Sequence, residues 1–274
     1  MLISTFCFAL MNACIKKISY LPAWELVGFR SVITFVITLW IITNSKTDWL
    51  GKSRKNLILR GLFGSLALYF FFRSLALMPL ATAVTIQFTS PLFTTLIGTL
   101  LNREKVSPVR WLFLVISFAG VLLLKGFDTN ISAEAFVTGL ASAVCSALAY
   151  NMVRKMKEEE HPQVIVLHFQ AVGMVAGLGS MLWNFEAPAL ADIWYILAMG
   201  ILTYLGQIHL THALQGEKLG IISSLNYIGI LYALVLGWIF FHEPVTAGQI
   251  SAILLIVTGV LLNILYDPLK KQTA

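Results

Sequence analysis

Ten apolar runs of about twenty residues, separated by short polar breaks, constrain what this chain can fold into. A hydrocarbon layer about 30 Å thick is crossed by about twenty helical residues, so each run is long enough to span a bilayer. Membrane barrels alternate apolar and polar residues along each strand, and these runs are unbroken instead. Of the 274 residues, 58% are hydrophobic and 12% charged, about half the charged share of a soluble domain. The sequence therefore predicts an all-α polytopic membrane protein. The spans are roughly 2–18, 22–43, 57–77, 80–101, 108–125, 134–153, 163–183, 192–214, 218–240 and 246–266. Prolines 22, 79, 108, 162, 188, 244 and 268 sit at or near breaks, whereas Pro91 falls inside the fourth run and should kink it.

Basic residues fix the expected orientation. With the N-terminus inside, only Lys16, Lys17 and Lys125 fall in outward segments. Every other lysine and arginine falls in an inward segment, apart from Arg30 and Arg73 within spans. The positive-inside rule then predicts both termini in the cytoplasm of a cell-membrane protein. The net charge of +6 is accounted for by this bias, and no soluble basic face for nucleic acid is expected. Trp24, Trp40, Trp111, Trp183, Trp194 and Trp238 fall near span ends, at headgroup level. Cys7, Cys14 and Cys145 read as apolar packing residues rather than disulfide partners or metal ligands. No cleavable signal is evident, so the first run is expected to remain as a membrane helix.

The two halves repeat. An offset of 139 pairs Asn12 with Asn151, Gln87 with Asn226, Glu104 with Glu243, and the GVLL at 120–123 with that at 259–262. FR at 29–30 faces FQ at 169–170 with one residue of slippage, and SLAL at 74–77 faces THAL at 211–214. Five spans per copy is an odd number, so the second copy enters the membrane inverted. Inverted repeats are a transporter architecture with a site near the midplane.

The segment LALMPLATAVTIQFTSPLFTTLIGTLLNREKVSPVRWLFLVISFAGVLLL (75–124) resembles the closing helices of an EamA repeat of the drug/metabolite transporter superfamily. ELVGFRS (25–31) resembles that family's second helix, and FFHEPVTAGQISAILLIVTGVLL (240–262) is a weaker second copy. The resemblance covers essentially the whole chain. It implies repeats at 1–125 and 134–266, alternating access, and a small organic solute. FFRSLALMPLATAV also resembles bacterial S-adenosylmethionine carriers and their animal relatives. An amino acid-like, nucleoside-like or S-adenosylmethionine-like cargo is therefore expected, in a monomer or weak homodimer that needs no cofactor.

Candidate site residues follow from polarity inside spans. Arg30 lies roughly 12 Å into the second helix, at a cost of about 2.5–3.5 kcal/mol unless sheltered. It either contacts a carboxylate or phosphate of the solute or braces neighbouring helices. The resemblance favours the second role, since a basic residue often stands there whatever the substrate; Arg30→Ala should then impair folding and transport together. Arg73 can snorkel to the interface. Gln87, Ser90 and Thr94 share a face of helix 4, matched on helix 9 by Asn226, Gly229 and Ala233, with Tyr227 beside it. These groups line a central cavity or bond between helices at about 0.6 kcal/mol each; Asn12 and Asn151 pose the same alternatives. Tyr69, Tyr150 and Tyr204 are candidate aromatic walls.

His209 and His212, three apart on helix 8, and His168 on helix 7 are candidates for proton coupling, although each alone reads as a helix-bridging residue. Every acidic residue falls at a span end or in a loop, Glu158–Glu160 among them as a solvated run. GMVAG at 173–177 is a close-contact motif expected to act within the chain. A lipid-linked-substrate flippase is the alternative function. An intramembrane enzyme is disfavoured: there is no mid-span Asp pair, H-E-x-x-H or G-x-S-x-G.

Overall fold

A computed structural model describes residues 1–45, 48–102, 108–127, 131–216 and 228–266. These form α1 (Leu2–Lys17), α2 (Ala23–Ser45), α3 (Arg54–Leu77), α4 (Leu80–Gln87), α5 (Ser90–Asn102), α6 (Pro108–Phe127), α7 (Ala133–Lys155), α8 (Pro162–Met181), α9 (Ile193–Gly216), α10 (Ile228–Phe241) and α11 (Ala247–Leu265). Among the described residues there are no strands, and five helices are long and apolar enough to cross a membrane.

Helix starts are set by local chemistry. The Ser132 hydroxyl accepts from the Ala135 N–H at the head of α7. Thr246 and Gln249 form a reciprocal capping box at the head of α11. Pro162 opens α8, where its missing N–H costs nothing. The expected fourth span is not one helix. It breaks at Phe88–Thr89 between α4 and α5, and Pro91 takes the second position of α5, where a proline starts a helix better than it continues one. Of the expected ninth span, 218–227 lie outside the described residues.

Packing runs between the halves more than within them. The α2–α8, α3–α7, α1–α9 and α6–α11 pairs carry the largest contacts. These contacts come in matched sets. A Cβ on Gly61 would meet the Val172 side chain at 2.5 Å, and one on Gly200 would meet Ile33 at 2.5 Å; both glycines and both partners differ by 139 in number. The Ser4 hydroxyl donates to the Gly206 carbonyl at 2.8 Å, and Ser142 donates to that of Ala67 at 2.7 Å. At the α2–α8 crossing, a side chain on Gly177 would collide with the Gly28 backbone. GMVAG thus faces α2 of its own chain, and small residues let the helices touch backbone to backbone.

Candidate functional site: two arginines on one ring

Close approach of α2, α3 and α8 places Arg30 and Arg60 over a single aromatic ring. The guanidinium carbon lies 5.4 Å from the Phe169 centroid for Arg30 and 4.1 Å for Arg60. Arg30 is 0% exposed and Arg60 is 3% exposed. Arg30 Nη2 donates to Gln170 Oε1 at 3.1 Å, and both cations share the Phe169 ring. Glycines make this convergence feasible: a side chain on Gly64 would strike both Arg60 and Phe169, and one on Gly173 would strike Ser31.

Energetically the cluster is under-compensated by protein groups. A desolvated cation–π contact contributes about 2 kcal/mol, and a hydrogen bond to a charged group about 1.5–3 kcal/mol. Removing a guanidinium from water costs several kcal/mol per ion, and here there are two. No described carboxylate forms an ion pair with either arginine; the ion pairs among the described residues are Lys16–Glu243 and Arg73–Glu134. Buried atoms without a hydrogen-bond partner gather here: Arg30 Nε and Nη1, Arg60 Nε, Ser31 Oγ, Ser65 Oγ and Gln170 Nε2.

The remaining sequence candidates are dispersed. Gln87 bridges α4 to α7: its Nε2 donates to Ser146 Oγ at 2.6 Å, and its Oε1 lies 2.5 Å from Ser142 Oγ. Ser90 is buried just past the helix break, its carbonyl accepting from Thr94 Oγ1 at 2.9 Å. Asn12 is buried with Oδ1 unpartnered, whereas Asn151 turns back to the Ala147 carbonyl of its own helix at 3.1 Å. Tyr69 stacks on Trp24 with centroids 4.7 Å apart. The Tyr204 hydroxyl accepts from Gln163 Nε2 at 3.2 Å. His168 Nδ1 sits 3.0 Å from the Val164 carbonyl; His209 is half-buried and His212 exposed. Asn226, Tyr227 and Glu104 lie outside the described residues.

Three charged groups placed in loops or at helix ends by the sequence are instead buried. Arg60 counts as an inward flanking charge by position but points into the bundle. Glu160 belongs to the acidic run, yet is 7% exposed. Its carboxylate accepts from the Lys52 N–H at 2.5 Å and from the Ser53 N–H, at the head of α3 where a negative charge is favoured. Glu25 is 0% exposed and accepts from the Glu186 N–H at 2.8 Å. Arg73 forms an exposed pair with Glu134 at 2.7 Å.

Lys16 and Glu243 form a second charged centre at the opposite end of α3 from Arg60. They pair at 2.7 Å with side chains 14% exposed. Lys16 Nζ also donates to the Met78 carbonyl at 2.7 Å, and Glu243 Oε2 accepts from the Leu80 N–H at 2.8 Å. One ion pair thus ties the end of α1, the α3–α4 turn, the start of α4 and the segment after α10.

The model of the EamA-like transporter family matches residues 1–125 and 134–265. The pseudopaline exporter CntI of Pseudomonas aeruginosa (strain UCBPP-PA14) is 33% identical over 260 residues, covering 94% of this chain and 92% of that protein. Human solute carrier family 35 member G1 is 28% identical over 276 residues, covering 94% and 76%. A solved crystal structure superposes with a TM-score of 0.72 at 18% identity, covering 100% of this chain and 98% of that one, so the fold is shared. The chain is a multi-pass membrane protein that belongs to the EamA-like transporter family.

Proposed function

We propose that the protein moves a small organic metabolite across the cytoplasmic membrane by alternating access between inverted repeats at 1–125 and 134–266. Amino acid-like, nucleoside-like and S-adenosylmethionine-like solutes are the candidate classes. One observation carries the proposal: contacts between the halves recur at an offset of 139, as Gly61–Val172 and Gly200–Ile33. Two oppositely threaded copies related in this way have two equivalent modes of opening, one toward each face.

With both termini inside, Lys16 and Glu243 would lie at the outer face, where their 2.7 Å ion pair ties the end of α1 to the segment after α10. Transport then needs this pair to part. Counterflow in proteoliposomes loaded with each solute class tests the proposal: exchange of a labelled solute for its unlabelled form is expected from one class. No exchange by a correctly folded protein with any of them would contradict it. The histidines supply a route for proton coupling; a solute flux independent of pH in wild type and in a His209/His212 double variant alike would remove it.

A further inference from the structure

We propose that the transported solute carries an oxyanion, a carboxylate or a phosphate, held by Arg30 and Arg60. The inference rests on the transport function proposed above and names its substrate class. Its ground is the donor character of one buried cluster. Arg30 Nε and Nη1, Arg60 Nε and Gln170 Nε2 can only donate, and each is buried without a partner. The Ser31 and Ser65 hydroxyls are unpartnered as well, and they converge: a Cβ on Gly173 would lie 2.5 Å from Ser31 Oγ and 3.4 Å from Ser65 Oγ. A donor-rich cluster with two guanidinium forks fits an acceptor-only ligand of negative charge. It disfavours a cation and gives a neutral apolar solute nothing to bind.

The repeat supplies an independent observation. Offset by 139, Arg60 corresponds to Met199, which is 0% exposed. A neutral thioether therefore fills the matching position in the other half, so packing there does not require a cation. Arg30 likewise faces a neutral residue, Gln170, in the slipped alignment of FR with FQ. Both charges belong to one repeat only, as expected for groups kept to recognise an asymmetric cargo rather than to build a symmetric scaffold.

The test uses purified full-length protein and four probes: succinate, glycerol 3-phosphate, neutral succinamide and tetramethylammonium. Thermal unfolding in wild type should rise with succinate or glycerol 3-phosphate and stay flat with the other two; which anion acts separates carboxylate from phosphate. Arg60→Met, which copies the matching residue of the second half, should fold and weaken the active anion at least tenfold. If it does not fold, Arg60→Lys keeps the charge without the fork and should show the same loss. The inference is overturned if neither anion exceeds succinamide, if Arg60→Met binds like wild type, or if Arg60→Met does not fold and Arg60→Lys binds like wild type. Counterflow of a neutral or cationic solute that survives Arg60→Met would sink the oxyanion and leave transport standing. Absence of counterflow with every solute in wild type would instead sink transport itself.

Discussion

The two charged centres of this protein solve opposite problems. Lys16 and Glu243 are nearly buried, but each has its counter-charge at 2.7 Å, and the spare valences go to the Met78 carbonyl and the Leu80 N–H. Arg30 and Arg60 are more deeply buried and share a ring instead of a carboxylate. A satisfied pair can hold one conformation closed and gains nothing from a ligand. An under-compensated pair of like charges is poised for a mobile anion. On the function proposed above, the ion pair serves gating and the arginine cluster serves recognition.

Substitutions sharpen this contrast, and the largest effect should come from the scaffold that permits it. Gly177→Leu drives a side chain into the Gly28 backbone, which cannot move aside as a rotamer can. It should cost more than about 3 kcal/mol and abolish the monodisperse peak in size-exclusion chromatography. Glu243→Gln leaves Lys16 charged and unpaired; with some solvent access the loss should be about 1–3 kcal/mol, read by thermal unfolding. Lys16→Met combined with Glu243→Gln should recover part of that loss, whereas independent losses would show that the two do not form a latch. Arg60→Met removes a buried charge without removing a counter-charge, so stability should change by less than about 1 kcal/mol. That small change, against the larger one at Glu243, is the sharpest test of paired versus unpaired charge. Arg73→Ala breaks an exposed pair and should shift stability by no more than about 0.5 kcal/mol.

The helical framework is legible in the sequence, but little of this contrast is. Apolar runs and the break near Pro91 follow from hydropathy and backbone chemistry, and α4 and α5 part at Phe88–Thr89 beside that proline. Arg30 stands out because apolar residues flank it on both sides. Arg60 did not, because it lies within two turns of the start of α3, among Arg54 and Lys55. Its flanking LILRGLFG, with small residues that admit α8, was the available signal. Glu160 was hidden in an acidic run because periodicity cannot tell which of three adjacent carboxylates turns inward to cap another helix. Glu243 was marked by its match to Glu104, but its partner Lys16 lies in another helix, and sequence carries no such pairing. Ser31, Ser65 and Gln170 become neighbours only because α2, α3 and α8 converge at glycines.

Alternating access is tested most directly by locking the latch covalently. In a protein with Cys7, Cys14 and Cys145 replaced, Lys16→Cys and Glu243→Cys would be bridged by a short bis-methanethiosulfonate reagent, each thiol forming a disulfide with loss of methanesulfinate. The account predicts that bridging stops counterflow in proteoliposomes and that reduction restores it. Full counterflow through quantitatively bridged protein would contradict it.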